Sequence, residues 1–138
     1  MKEVTLCRQK DFEKSDLGKS YINQEIVNAS FDSYDDRDEG LIKLFFKNKN
    51  ELIIYDDGQS CCEERYVTTD DDILSIVGKK LRNIELKGSS ERESYDGIHE
   101  IHFLEISTDQ NFITFRSHND HNGYYGGIII KIKELNNE

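Results

Sequence analysis

Leu41-Ile42-Lys43-Leu44-Phe45-Phe46-Lys47-Asn48-Lys49-Asn50-Glu51-Leu52-Ile53-Ile54-Tyr55 decides the fold. Two runs of strand length, rich in Ile, Leu, Phe and Tyr, flank four polar residues, so the stretch predicts an antiparallel hairpin. Asp56-Asp57-Gly58 ends the second run with a turn signal. Upstream, Ile22 to Phe31 predicts a strand with Val27, Ala29 and Phe31 on one buried face, and the polar run 32–40 joins it to the hairpin. Val4 and Leu6 begin an earlier strand, and Lys10 to Lys14 a helical turn. Downstream, Cys61 to Val67, Leu81 to Lys87, Ile98 to Ile106, Phe112 to Phe115 and Gly127 to Leu135 read as further strands, with a polar loop from Gly88 to Gly97. One short helix is expected near 71–77. There Thr or Asp caps Ile73-Leu74-Ser75-Ile76-Val77, acidic residues meet the positive end of the helix dipole, and Gly78 stops it. The reading is an α+β, β-dominated single domain over residues 1–138, an antiparallel sheet of about seven or eight strands forming a sandwich or partly open barrel.

The totals agree with a globular chain. At 138 residues it is long enough to bury one core without disulfides, and seven Tyr and seven Phe offset a hydrophobic content of 36%. No run approaches the ~18 apolar residues of a membrane span, and the N-terminus lacks the apolar core of a signal peptide, so a cytoplasmic setting without membrane contact is expected. Three cysteines, two of them adjacent, do not form a secreted disulfide framework. A net charge of −10 argues against direct binding to nucleic acid, which depends on Lys and Arg at phosphates.

The chain echoes itself at an offset of sixty, over 17–60 and 77–120. Leu17-Gly18-Lys19 matches Val77-Gly78-Lys79, Asn23 matches Asn83, Leu44 matches Leu104, and Leu52-Ile53-Ile54-Tyr55 matches Phe112-Ile113-Thr114-Phe115. Read as an internal two-fold repeat, the echo makes the segment 59–64 the counterpart of 119–124. Two segments leaving equivalent strands would meet near the pseudo-axis.

That places Cys61, Cys62 and Glu63 beside the polar, glycine-hinged stretch His118-Asn119-Asp120-His121-Asn122-Gly123-Tyr124-Tyr125-Gly126-Gly127. Rigid tyrosine faces, amide edges and imidazoles suit recognition of a ligand. The candidate binding residues are Cys61, Cys62, Glu63, His118, Asn119, His121, Asn122, Tyr124 and Tyr125. The expected function is a non-enzymatic module that binds a small molecule or host protein, with no cofactor and with homo-oligomerisation left open. Asn122-Gly123 can equally be a type I′ turn joining two strands.

Three other readings stand beside this one. Zinc could sit among Cys62, His118 and His121, although residues three apart on a strand, such as His99 and His102, face opposite sides and cannot share a site. A small hydrolase would use His121 or His118 with Cys61 or Cys62, the imidazole oriented by Glu63 or Asp120. An acidic chain could mimic nucleic acid toward a host defence protein, or sequester a nucleotide signal if Arg65 or Arg116 met its phosphate.

Cys61-Cys62-Glu63, Asp70-Asp71-Asp72 with Val77-Gly78, His99-Glu100 ahead of Phe103-Leu104, and His118-Asn119 to Gly127 together resemble a family of small proteins of unknown function from phages, prophages and bacteria. The likeness runs over residues 17–132. It implies a mobile-element accessory protein and brings no activity. Divergent members have Ser-Asn-Gly-Tyr-Tyr-Ser where this chain has His-Asn-Gly-Tyr-Tyr-Gly, which implies that His121 lies outside the common pattern.

Overall fold

The computed structural model describes residues 2–7, 10–32, 40–58, 64–94, 97–122 and 127–136. In chain order these form β1 (Glu3–Leu6), α1 (Asp11–Lys14), α2 (Asp16–Tyr21), β2 (Ile26–Asp32), β3 (Leu41–Phe46), β4 (Glu51–Asp56), β5 (Glu64–Thr68), a 3-10 turn (Ile73–Ile76), β6 (Leu81–Ser94), β7 (Gly97–Thr108), β8 (Phe112–His121) and β9 (Ile130–Leu135). The expected hairpin is β3–β4, with Leu44 opposite Leu52. Two antiparallel sheets result, of order β1-β9-β4-β3-β2 and β5-β8-β7-β6. They are not closed into a barrel.

The strand plan repeats as the sixty-residue echo suggests. β2-β3-β4 is a three-stranded meander in one sheet and β6-β7-β8 a three-stranded meander in the other. After each meander the chain crosses over: β5 leaves the first sheet to pair with β8, and β9 leaves the second to pair with β4. The ends of the two crossovers touch. Asp57 N donates to Ile129 O at 2.7 Å, Ile129 N donates to Asp56 Oδ1 at 3.2 Å, and Arg65 Nη1 reaches both Asp56 Oδ2 at 3.0 Å and Gly127 O at 3.1 Å.

One core lies between the sheets. Ile42, Leu44, Leu52, Ile54 and Ile132 from one meet Ile84, Leu104, Ile106, Ile113 and Phe115 from the other, each burial stabilising by about 1.5–3 kcal/mol. Phe31 packs edge-on against Phe115, ring centroids 5.1 Å apart. Phe12, Leu17 and Tyr21 of α1 and α2 join this core. Ser15 caps α2, its hydroxyl accepting from Gly18 N at 2.9 Å. Gly18 is required by space, since a Cβ there would stand 1.8 Å from Phe12 O.

Four expectations change. The helix near 71–77 is the 3-10 turn, capped by Asp72 Oδ1 accepting from Leu74 N at 3.0 Å, because only four residues are available between the cap and the extended Val77. Val27 is not on the buried face. The pairing of β2 with β3 shifts between Ile26 and Asn28, which turns Ile26 and Ala29 inward and leaves Val27 39% exposed. The polar stretch after Lys87 is not a loop, for Gly88 to Ser94 continue β6 along β7. Their polarity suits an exposed edge. Finally, His118 to His121 belong to β8 and not to a loop. Among the described residues, no helix is long and apolar enough to cross a membrane.

Candidate functional site

All four histidines of the chain, His99, His102, His118 and His121, lie at one end of the β7–β8 ladder. Strand alternation divides them between two faces. On β8, Ile113 and Phe115 point into the core, and Ser117, Asn119 and His121 continue that line as buried polar groups. On β7, Glu100 and His102 continue the line of Leu104 and Ile106. His99, His118 and Asp120 therefore face the other side, with Tyr66 and Thr68 of β5.

On the inner face, Glu100 is a hub. Its carboxylate accepts from His121 Nε2 at 2.5 Å, from His102 Nε2 at 3.1 Å and from Gly127 N at 3.1 Å. Burial pushes the Glu100 pKa up, yet the hydrogen bonds from His102, the Gly127 N–H and His121 outweigh it and hold the carboxyl below its usual range. The Gly127 carbonyl in turn accepts from Asn119 Nδ2 at 3.1 Å and from Arg65 Nη1. Both halves of one residue's backbone are thus gripped by side chains of the second sheet. The positive φ of +82° at Gly127 permits that turn.

Two groups in this region stand out by what they lack. Ser117 Oγ and Asn119 Oδ1 are buried without a hydrogen-bond partner among the described residues, although Asn119 is 0% exposed. An unmet buried polar atom costs about 1–3 kcal/mol. Ser117 also borders a cavity of about 10 Å³ between the sheets, walled mainly by Ile42, Ile54, Val67, Leu104 and Phe115. It has the room of about one water.

The outer face carries a separate chain of contacts. Asp120 Oδ1 meets His99 Nδ1, His99 Nε2 stands 3.2 Å from His118 Nδ1, and His118 Nε2 is 2.8 Å from Thr68 Oγ1. Tyr66 lies flat on the His118 ring, 4.4 Å between centroids and 7° between planes. Burial is the main cause that lowers the His118 pKa, with the neighbouring His99 ring and Arg116 acting in the same direction and Asp120 opposing them.

Of the residues expected to form the site, His118, Asn119, His121 and Asn122 are brought to the same end of the molecule as Asp56, Gly58 and Arg65, the flanks of the first crossover. His118 and His121 project from opposite faces, so a single zinc ion or a single substrate would not meet both. Cys61, Cys62, Glu63, Tyr124 and Tyr125 lie outside the described residues, as does the Asn122-Gly123 turn reading. Among the described residues, no group of three or more His, Cys, Asp or Glu side chains is placed to hold a metal ion. Sequence reasoning did not foresee Glu100, Ser117, Tyr66 or Thr68. Their signal was the β7–β8–β5 register, which alternation alone does not supply.

The chain is 32% identical to an uncharacterised protein, L278, of Acanthamoeba polyphaga mimivirus, over 79% of this chain and 84% of the relative. No solved structure matches it. The family model for DUF7448, a domain of unknown function, matches residues 17–131, from the helix α2 through the start of β9 and across both meanders; the chain belongs to that family.

Proposed function

We propose that the chain is a non-enzymatic binding module whose site is the junction of the two strand crossovers, on the inner face of β7 and β8. The observation that carries this reading is the buried acceptor Asn119 Oδ1, which has no partner among the described residues. Such groups are normally satisfied, and a ligand or partner segment bearing an N–H or O–H donor would satisfy it. The surrounding groups suit the same occupant. Glu100, Asp56 and the Gly127 carbonyl are acceptors, while Arg65 and Asn119 Nδ2 are donors. The Gly127 backbone, held at its N–H and its carbonyl, marks how the site grips an amide-like edge. A nucleobase, an amide or a short peptide segment has that alternation of donor and acceptor.

The inter-sheet cavity of about 10 Å³ is too small for such a ligand. The occupant would therefore enter at the rim, against His121 and Asn122, and donate to Asn119 Oδ1 beside the Gly127 backbone, while the cavity at Ser117 Oγ has room for a water. In this reading the protein works inside the cell on a small molecule or a host protein, and the mimivirus relative supports a role as a viral or mobile-element accessory. The test is a titration of ¹⁵N-labelled protein with nucleosides, nucleotides and small amides, followed by amide chemical shifts. Perturbations gathered at residues 56–58, 117–122 and 127–129 are expected. Saturable binding that perturbs residues elsewhere and leaves these unmoved would overturn the proposal.

A further inference from the structure

The outer face of the four-stranded sheet holds a second arrangement that the crossover junction does not use. We propose that His99 and His118 form a cross-strand two-histidine site for a divalent, imidazole-preferring transition-metal ion of the zinc, nickel or copper kind. His99 Nε2 and His118 Nδ1 face each other at 3.2 Å, with ring centroids 5.2 Å apart. That separation is at the long end of ordinary hydrogen bonds. Two imidazole nitrogens bound to one tetrahedral ion at about 2.0–2.1 Å stand about 3.3 Å apart.

The other nitrogen of each ring is already anchored. Asp120 Oδ1 accepts a hydrogen bond from His99 Nδ1–H and Thr68 Oγ1 holds His118 Nε2 at 2.8 Å, the outer-shell partners that fix the tautomer and orientation of metal-bound imidazoles. Tyr66, stacked on His118, fixes the plane of that ring. The proton count closes without an outside acid or base. With Asp120 ionised, His99 carries its proton on Nδ1 and presents a lone pair at Nε2. Neutral His118 shifts its one proton from Nδ1 to Nε2, and the Thr68 hydroxyl turns from donor to acceptor, so the ion enters without net proton release.

Access and charge fit as well. His118 is buried, while the His99 and Asp120 side chains are 31% and 38% exposed, so water reaches the two nitrogens from the His99 side. Asp120 and Glu64 add negative charge on this face, and Glu64 is opposite Asp120 in the ladder. Arg116 opposes them, but it pairs with Asp70 at 2.8 Å.

The experiment is a calorimetric titration of the full, untagged chain with zinc sulfate at pH 7.5, together with imidazole ¹⁵N spectra of histidine-labelled protein. One ion per chain is expected, weakened at least tenfold by His99→Asn and by His118→Asn and unchanged by His102→Asn. The His99 Nε2 and His118 Nδ1 resonances should move on saturation. The imidazole readout uses unmutated protein, so it holds even if His118→Asn fails to fold. Absence of saturable binding up to millimolar zinc, or binding that leaves those two nitrogens unshifted, would overturn the proposal.

Discussion

Replacing Glu100 with alanine removes one carboxylate and strands three donors. His121 Nε2 at 2.5 Å, His102 Nε2 at 3.1 Å and Gly127 N at 3.1 Å all lose their acceptor, and the His121 side chain is only 4% exposed. A hydrogen bond to a charged group contributes about 1.5–3 kcal/mol, and the three are not additive because they share one acceptor. His102 is partly exposed and the Gly127 N–H is exposed, so water can replace the carboxylate at those two, and the main loss is the buried His121 donor, about 1–3 kcal/mol. For a chain of this size that corresponds to a fall in melting temperature of about 3–15 °C. Urea unfolding followed by circular dichroism measures it directly: the midpoint should drop with the slope unchanged. Glu100→Gln should lose less, because its amide oxygen still accepts from one donor. A double cycle with His121→Ala should show coupling of about 0.5–3 kcal/mol. If Glu100→Ala costs under 1 kcal/mol, the carboxylate is not the hub of the inner face and the grip on Gly127 is not what holds the crossover.

Gly18→Ala should destabilise the fold by at least the ~1–3 kcal/mol of an overpacked core, because its Cβ meets backbone, Phe12 O at 1.8 Å, that cannot step aside; an unchanged melting temperature would contradict the packing of α1 on α2. Phe112→Ser should change stability by no more than about 0.5 kcal/mol, since Phe112 is 61% exposed, and a larger loss in urea unfolding would mean that this ring is covered. The lowered His118 pKa fixes a pH dependence. The unfolded chain, with an ordinary histidine pKa of about 6.5, takes the proton first. The stability that His118 contributes is therefore fully present above that pH and is lost as pH falls toward the folded value, with a slope of at most about 1.4 kcal/mol per pH unit. With a chelator present, the gap between the urea midpoints at pH 7.5 and 5.5 should be smaller in His118→Asn than in the wild type; equal gaps would count against it.

Much of the fold is legible because β3, β4, β7 and β8 are apolar runs whose period of two puts Ile42, Leu44 and Phe46, or Leu104 and Ile106, on one side. The position of Val27 was not, because a register shift is an event between two strands and leaves no mark in one. Gly88 to Ser94 read as a loop since polar residues with Gly and Ser look alike in a turn and on an exposed edge. The helix α2 has too few residues to show a helical period, and its cap, Ser15, is only visible once Gly18 N is seen to point at it. The candidate site divides in the same way. The sixty-residue echo led to the expectation that segments 59–64 and 119–124 would meet; residues 59–63, 123 and 124 lie outside the described residues, while Glu64 pairs with Asp120 and the flanking Asp57 N donates to Ile129 O. Parity also foretold that His99 and His102 could not share a face, whereas His118 and His121, read as part of a loop, are separated by their place in β8. Which histidines do meet is set by register, which pairs Ile101 with His118 and Glu100 with Asn119 and so brings His99 to His118 on one side and His121 to Glu100 on the other.

The claim that the crossover junction is a binding site is tested most directly by native mass spectrometry of the untagged protein, wild type beside Asn119→Leu. Asn119→Leu removes the buried amide while keeping a similar volume. A retained adduct or partner is expected on the wild-type chain, or one acquired from a mixture of nucleosides and amides, that is absent from the Asn119→Leu chain when circular dichroism shows that chain to be folded. An identical adduct on both folded chains, or a bare wild-type chain throughout, would contradict it.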